Sequence, residues 1–424
     1  MPKKDPYNFK KIVLENGLTI FFSHIPYATK TVVYTAMSVG AMHGKRGCSH
    51  FLEHFLIDET EKFKDSKEFD NYLESFGGRR LDLFTNYYKT AFGYSINSKF
   101  FKEGLVLAEE LFFKAKLTDK NFVREKKVIQ EEIHNSVPRK KIIEHYDKRI
   151  RKLCDIEKYK FEYKLHHPYV TTGSPEEIEK LTFEDIKKHY EDFYSINNFT
   201  IFIGSNLKEN EVLKEVKKVF VKYKFKKINH PKNKINKNQK TKVKELIWND
   251  IDVYERKLNT SSIEASVSFP GHFKRVYGFA RVILSEIFFE IVREKNGISY
   301  NPYVKISQNK WLTEIDMGFE TSNKEYSKNG NKSKNLILET IEKAMQSKDI
   351  FERVKRNELR NLSYNESVSD IVYFSLKDYF IYGKINSLKD DKKDIESVEF
   401  KDVVKILKYI KENMWLEIIK STEK

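Results

Sequence analysis

The sequence predicts an α+β protein made of two domains with a similar plan. Its 424 residues, 40% hydrophobic and 14% aromatic, suffice to bury two cores of ordinary size. Residues 225–244 are rich in Lys and Asn and nearly free of apolar side chains, as expected of a linker. The second half then repeats the element order of the first. We therefore expect a first domain over residues 1–224, a basic linker over 225–244 and a second domain over 245–424.

The first half alternates strands and helices. A hairpin is expected around Asn16-Gly17, a pair typical of two-residue turns. A helix over residues 66–76 has a start signal in Asp65-Ser66 and a stop in Gly77-Gly78. Alternation and apolar content predict the other elements, which are strands over residues 31–38, 81–85, 88–96 and 199–204 and helices over residues 99–116 and 118–137, from Leu181 onwards and up to about Tyr223.

The second half shows the same order of strand, long apolar helix, hairpin and helix. These elements are expected over residues 263–269, 279–292, 299–319 and 334–346. Its histidines are His230 and His272, which stand far apart in the sequence. A second metal site is therefore not expected, and this domain would serve as a lid or a binding half.

Composition and charge limit the partners and the compartment. The net charge of +16 would suit a nucleic acid or a membrane surface. The lysines, however, are spread over predicted solvated faces and no nucleic-acid fold signature occurs, so neither partner is expected. The two cysteines, Cys48 and Cys154, indicate a reducing compartment and no disulfide framework. Because no signal peptide, transit peptide or membrane-spanning run is recognisable, we expect a cytoplasmic protein.

The motif His50-x-x-Glu53-His54 indicates a zinc site. On a helix, His50 and His54 lie one turn apart on the same face, and Glu53 lies beside them. Two histidine ligands and a general base are the parts of a zinc hydrolase site, read here in the reverse order of the commoner motif. The alternative is a pair of core histidines, which so short a pattern does not exclude. A catalytic zinc also needs a third protein ligand.

The helix expected over residues 118–137 offers that ligand. Its apolar stripe runs through Phe122, Val128, Ile129, Ile133 and Val137, and two glutamates fall on the stripe. Carboxylates on the buried side of a helix need a compensating cation or donor. We therefore expect Glu132 to be the third ligand and Glu125 to contact a ligand histidine. Glu131 would point to solvent, but a shift of one residue would exchange it with Glu132.

With these residues the sequence resembles the pitrilysin or insulinase family of zinc metallopeptidases. The spacing from His50-x-x-Glu53-His54 to Glu125 and Glu132 is similar to that family's. Further similar segments lie at residues 14–18, 167–169, 173–178 and 293–300, so that the resemblance spans most of the chain. The length is similar to that of the shorter branch, which contains mitochondrial processing peptidase subunits and their bacterial relatives.

The resemblance implies an architecture and further site residues. Each domain would be a mixed, mostly antiparallel sheet with helices packed on it, and the two would face each other around a chamber. Substrate backbone would lie on an edge strand at Asp82, Leu83 and Phe84, where Asp82-Leu83 replaces the family's usual Asn-Ala and leaves the substrate preference open. Arg293 and Tyr300 would bind the substrate backbone and the developing oxyanion. Without the resemblance they read as a surface Arg and a strand Tyr.

The expected function is that of a zinc metalloendopeptidase with one Zn²⁺ per chain. It would hydrolyse extended or unfolded peptides bound by strand addition, with Glu53 as the base. A homodimer, or a heterodimer with a related non-catalytic subunit, is expected. The alternatives are a peptide-binding subunit of a two-component protease, which would have no use for a buried base, and a basic nucleic-acid-binding protein.

Overall fold

The computed structural model describes residues 5–136, 171–228, 251–256, 260–271, 273–308, 312–322, 332–362 and 367–421. The chain forms two compact units. The first contains Met1–Asn238 and Glu366–Ile385, and the second contains Gln239–Asn365 and Asn386–Lys424. Most of the expected linker and the segment 167–169 lie outside the described residues.

Six strands and seven helices come from the described residues before 229. The strands are β1 (Lys10–Val13), β2 (Thr19–His24), β3 (Thr31–Met37), β4 (Arg79–Thr85), β5 (Thr90–Ile96) and β6 (Phe199–Ser205). The helices are α1 (Cys48–Asp58), α2 (Ser66–Ser75), α3 (Phe101–Phe113), α4 (Asp119–Ser136), α5 (Pro175–Lys180), α6 (Phe183–Phe193) and α7 (Glu209–Phe220). Single 3₁₀ turns occur at Ser98–Phe100 and Ile196–Asn198.

The described residues after 250 form the remaining elements. The strands are β7 (Ile251–Arg256), β8 (Thr260–Pro270), β9 (Tyr303–Gln308), β10 (Leu312–Ser322) and β11 (Trp415–Ser421). The helices are α8 (Arg275–Phe289), α9 (Ser333–Ala344), α10 (Lys348–Asn361), α11 (Val368–Tyr382), α12 (Leu388–Ser397) and α13 (Phe400–Asn413). A π-helical turn, Glu290–Lys295, follows α8 directly.

The sheet of the first unit has the strand order β1-β2-β6-β3-β5-β4. The pair β2/β6 is parallel and the other neighbouring pairs are antiparallel. Strand β4 therefore lies at an edge of the sheet, beside β5. Its pairing shifts register between Arg80 and Asp82, where a bulge interrupts the ladder. This edge lies next to α1, which contacts β4.

Both faces of the first sheet are covered by apolar side chains. Every residue of β3, β5 and β6 is buried, so each face of these strands needs a partner. One face packs with α1 and α3 in a core that includes Phe51, Phe92 and Phe112. On the other face, α11 inserts Val372 and Leu376 against strand residues of β2, β3, β5 and β6.

The position of α11 differs from the expected boundaries. The sequence analysis assigned residues 245–424 to the second domain, whereas Glu366–Ile385 belongs to the first unit. The physical reason is the second face of the first sheet, where Phe21 and Phe202 stack at a ring-centroid distance of 4.8 Å. Those rings would face water without α11.

The second unit has its own sheet and core. Its strand order is β7-β11-β8-β10-β9, with β7/β11 parallel and the other neighbouring pairs antiparallel. The core includes Ile283, Ile287 and Phe288 from α8 together with Leu407 and Ile410 from α13. An apolar stripe on α8 is thus buried between the sheet and neighbouring helices.

The structure confirms the α+β class and the predicted element order. The first hairpin turns at Gly17, whose φ of 88° suits glycine. The helix expected from Leu181 onwards begins at Phe183, after a capping box formed by Thr182 and Asp185. The predicted helix over residues 279–292 begins earlier, at Arg275, and its end is the π-helical turn. No helix in the described part of the chain is long and apolar enough to cross a membrane.

The contact of α11 with the first sheet gives a test. We expect Leu376→Ala to lower the free energy of unfolding by about 2 to 5 kcal/mol, because it removes a fully buried side chain. Amide hydrogen exchange in β3 and β6 should become faster. Phe374→Ala on the same helix is the control, since Phe374 is 42% exposed and should cost much less. Equal effects of the two variants, or unchanged exchange in both strands, would contradict the described packing.

Candidate metal centre

Helix α1 carries the motif beside a buried apolar face. It begins after Gly47, whose φ is 86° and where an added Cβ would lie 2.6 Å from Ile178 Cδ1. Phe51 and Phe55 are fully buried in the core. His50, Glu53 and His54 occupy the remaining part of the helix surface. The local sequence thus separates the packing residues from the polar ones by helical periodicity.

Helix α4 packs against α1 through aromatic contact. The rings of Phe51 and Phe122 stack with centroids 5.0 Å apart, and Ile129 is fully buried. Successive steps of three or four residues from Phe122 along this face reach Glu125, Ile129 and Glu132. The sequence prediction of the stripe was wrong at Val128, which is 46% exposed and lies about 100° round the helix from the fully buried Ile129. Val137 lies outside the described residues.

The side chains of His50, His54 and Glu132 converge on one point. His50 Nε2 lies 3.5 Å from Glu132 Oε1, and His54 Nε2 lies 3.4 Å from Glu132 Oε2. One donor atom from each residue falls within 4.8 Å of the others. Two imidazole nitrogens and one carboxylate oxygen are the donor set of many catalytic zinc sites, which leave a further position open. These three residues fit a zinc ion, and Glu131 lies outside the group. The Glu132 side chain is 42% exposed, so it lies at the margin of the stripe that was expected to be buried.

Glu125 contacts the other ring nitrogen of His54. His54 Nδ1 lies 3.4 Å from Glu125 Oε2, so Nδ1–H can donate to the carboxylate while Nε2 keeps its lone pair for a metal. Burial alone would raise the pKa of Glu125, but hydrogen bonds from His54 and Arg124 outweigh it and hold the pKa below its ordinary value. Glu125 therefore stays ionised as an acceptor.

Glu53 lies beside the two histidines with one oxygen unsatisfied. Its Oε2 is buried and has no hydrogen-bond partner among the described residues, and the same holds for His50 Nδ1. Burial raises the pKa of Glu53 above its ordinary value, although the neighbouring His50 and a hydrogen bond with Thr85 act in the opposite direction. Buried polar atoms without partners are rare in proteins and indicate that a ligand or water belongs there.

Thr85 is a site residue that the sequence analysis missed. Its hydroxyl lies 3.0 Å from that of Thr90 and 3.4 Å from the Ser49 carbonyl oxygen, next to Glu53. Strand alternation indicates only that Thr85 and Leu83 share one face of β4, whereas the contact with Glu53 depends on the packing of that strand beside α1. Cys48, at the start of α1, is buried, which raises the pKa of its thiol to about 12 and leaves it protonated.

The three edge-strand candidates divide between the two faces of the sheet. Leu83 packs against the core that contains α1. Phe84 packs on the other face, where its ring lies 6.4 Å from that of Tyr373 in α11. Asp82 pairs with Gly93 and lies near Tyr34 on that same face, where burial raises the pKa of its carboxyl. Leu83 is therefore the candidate that shares a face with the histidines.

Arg293 and Tyr300 lie together in the second unit. The Arg293 guanidinium carbon is 4.0 Å from the Tyr300 ring centroid, and one guanidinium nitrogen donates to the Tyr300 carbonyl oxygen at 3.2 Å. Arg293 belongs to the π-helical turn, and Tyr300 is 73% exposed. The stacked pair thus presents a cation and a phenol hydroxyl on the surface of its unit.

Comparison with known families matches both halves of the chain. Residues 23–149 match the family model described as Insulinase (Peptidase family M16), and residues 180–358 match that described as Peptidase M16 inactive domain. An insulin-degrading enzyme-like protein of Arabidopsis thaliana is 25% identical over 228 residues, which are 50% of this chain and 22% of that protein. An uncharacterized zinc protease of Rickettsia bellii is 24% identical over 218 residues, which are 50% of each chain. This chain thus aligns with between about a fifth and a half of these relatives' length.

A solved structure shows the same fold over nearly the whole chain. The crystal structure of a protease from Helicobacter pylori superposes with a TM-score of 0.75 and 18% identity, covering 98% of this chain and 100% of that one. At this level of identity the likeness concerns the fold alone.

The converging donor atoms give the second test. His50→Ala, His54→Ala and Glu132→Ala should each abolish stable zinc binding, because each removes one of three ligands. Glu125→Ala should weaken binding by about 10 to 100-fold, since it only contacts a ligand. Zinc retained after dialysis and chelator competition measure these effects. Glu131→Ala is the control, and loss of zinc in that variant with retention in Glu132→Ala would show that the ligand assignment is wrong.

Proposed function

This chain belongs to the insulinase family of peptidases, peptidase family M16, and on that premise we propose that it is a zinc metalloendopeptidase acting on extended or unfolded peptides. The observation that carries the proposal is the convergence of His50, His54 and Glu132 beside the unsatisfied carboxylate oxygen of Glu53. A zinc hydrolase needs three such ligands and one such base in the same place.

The three ligands and Glu53 have different tasks. His50, His54 and Glu132 would hold a zinc ion, which supplies a Lewis acid that acidifies water and polarises the scissile carbonyl. Glu53 takes the proton from the attacking water and later gives it to the leaving amine. Its raised pKa helps the first transfer, because a carboxylate with a higher pKa is a stronger base towards the proton of the water. The Thr85 hydroxyl fixes the carboxyl group during both transfers.

The substrate binds to β4 by strand addition in this proposal. β4 lies at the edge of its sheet and next to α1, so a peptide added along it would pass the zinc ligands. Main-chain hydrogen bonds hold an added strand whatever its side chains are, which favours extended or unfolded peptides over folded proteins. Leu83 lies on the face of β4 that packs with α1, and it would contact the substrate side chain nearest the metal. Asp82 and Phe84 would act through the main chain, since their side chains face α11.

Arg293 and Tyr300 complete the proposed active site from the second unit. The proposal requires the two units to enclose the substrate in a chamber, as the family resemblance implies. The Tyr300 hydroxyl and the Arg293 guanidinium would then donate hydrogen bonds to the substrate backbone and to the oxyanion. The exposure of Tyr300 and its stacking with Arg293 support this role, because accessible donors that are already ordered lose little entropy on binding.

A second candidate function is a peptide-binding subunit of a two-component protease. It is favoured by the match of the second half to the model described as Peptidase M16 inactive domain. Against it stands Glu53, whose buried carboxylate costs stability and would be useless without catalysis.

A homodimer or a heterodimer with a related subunit and a cytoplasmic location belong to the proposal too. The location rests on the low cysteine count of two.

Replacing the base separates the enzyme from the binding subunit. Glu53→Gln keeps the size of the side chain and should keep zinc, but turnover of a mixed peptide library should fall by a factor on the order of 10² or more. Peptide binding should persist. Glu131→Gln, a change of the same kind at an exposed position, should leave turnover unaltered. Unchanged hydrolysis by Glu53→Gln would refute this mechanism, and absent hydrolysis by the wild-type chain with intact peptide binding would support the second candidate.

Changing the donors of the second unit tests the shared active site. Tyr300→Phe removes one hydroxyl and should lower kcat by roughly 10² to 10³-fold without loss of zinc, as expected for an oxyanion donor. Arg293→Ala should also raise KM, because the guanidinium would contact the substrate in the ground state as well. Kinetics at saturating zinc provide both values. If the wild type, Tyr300→Phe and Arg293→Ala have the same kcat, the second unit contributes no donor to catalysis.

A further inference from the structure

Two charged residues extend the polar contacts of the metal centre beyond Glu125. Arg124 precedes Glu125 on α4, and Asp58 is the last residue of α1, one turn after His54. The Arg124 Nε donates to Glu125 Oε1 at 3.0 Å, while a terminal guanidinium nitrogen pairs with Asp58 Oδ1. The other oxygen of Glu125 faces His54 Nδ1. Contacts therefore run without a break from Asp58 through Arg124 and Glu125 to His54.

The exposed fractions of the three side chains show that the two carboxylates depend on the guanidinium for charge compensation. The side chains of Glu125 and Asp58 are 12% and 14% exposed, whereas that of Arg124 is 52% exposed. Two nearly buried carboxylates are unfavourable unless a cation compensates them. Arg124 reaches both of them from the surface. This geometry differs from that of an ordinary exposed ion pair, which contributes little because both partners keep their water.

We propose that Arg124 is a positioning residue of the metal site, acting with Asp58 through Glu125 on the His54 imidazole. With Glu125 held on one oxygen by Arg124, its second oxygen is fixed as the acceptor for His54 Nδ1–H. The ring then presents Nε2 towards Glu132 before a metal arrives, so that less ordering is required on binding. This inference rests on the proposed function, in that it takes zinc to be the ion bound.

The planar shape of the Arg124 guanidinium suits it to this positioning role. Its planar fork presents several N–H donors in fixed directions, so Arg124 can hold a carboxylate on each of two helices at once. A lysine ammonium carries the same charge on a point and cannot fix two acceptors in one geometry. Asp58 in turn ties the last turn of α1 to α4, which keeps His54 and Glu125 on facing sides of the helix pair.

The test measures the zinc dissociation constant of the full chain by competition with a chromogenic chelator. Arg124→Gln should raise it by about 10 to 100-fold, the usual effect of removing a group that orients a ligand. Asp58→Asn should act in the same direction. The double variant should bind zinc no more weakly than the weaker single variant, because both changes break one contact. Arg124→Lys should fail to restore binding, and full zinc affinity in that variant would overturn the role of the fork.

A matched control separates positioning from general stabilisation. Arg80 pairs with Asp70 at 2.6 Å in the same unit, and the structure places neither residue among the metal-site contacts. Arg80→Gln should therefore leave zinc affinity unchanged, even where the melting temperature of the metal-free protein falls as much as in Arg124→Gln. Unchanged zinc affinity in Arg124→Gln, or an equal loss in Arg80→Gln, would overturn the proposal.

Two further outcomes keep the test decisive. If Arg124→Gln does not fold, Asp58→Asn examines the same contact with almost no change of side-chain volume, and unaltered zinc affinity there would overturn the proposal. A wild-type chain that takes up no zinc would refute the proposed function itself. Zinc uptake by the wild type with unaltered affinity in both variants would refute only the positioning role.

Discussion

The packing of α1 against α4 is the contact on which the metal centre depends. The stacked rings of Phe51 and Phe122 and the buried Ile129 fix the separation of the two helices. At that separation the helical repeat brings His54 opposite both Glu125 and Glu132. The Glu125 carboxylate, whose side chain is 12% exposed, would be unfavourable there alone and is compensated by an imidazole and a guanidinium. The apolar contact between the two helices thus places a nearly buried carboxylate at the site, and the neighbouring His54 and Arg124 compensate its charge.

The first sheet imposes a second constraint, which concerns the whole chain. Strands β3, β5 and β6 are buried on both faces, so the first half of the sequence cannot complete its own fold. Helix α11, which follows most of the second unit in the sequence, covers the remaining face with Val372 and Leu376. It also packs on Phe84 in the edge strand. Strand β4, which is proposed to receive the substrate, is therefore packed on one face against α11, a segment from the other half of the chain.

The sequence was most informative where periodicity within one element decides the geometry. The spacing of His50 and His54, and that of Glu125 and Glu132, follows from the helical repeat alone, and the structure brings these side chains together. Contacts between distant segments were beyond such reasoning. Thr85 meets Glu53 only through the pairing of a strand edge with a helix, and Asp58 meets Arg124 only through helix packing. The misplaced Val128 and the assignment of α11 have the same origin, since burial depends on neighbours that a local pattern does not contain.

The central claim is that one zinc ion is bound by two imidazoles and one carboxylate of this chain. X-ray absorption at the zinc K edge of the loaded protein tests it most directly. The account predicts imidazole scattering from two histidines and only nitrogen or oxygen ligands at about 2.0 to 2.2 Å. A sulfur ligand at about 2.3 Å, or a spectrum without imidazole scattering, would contradict the account.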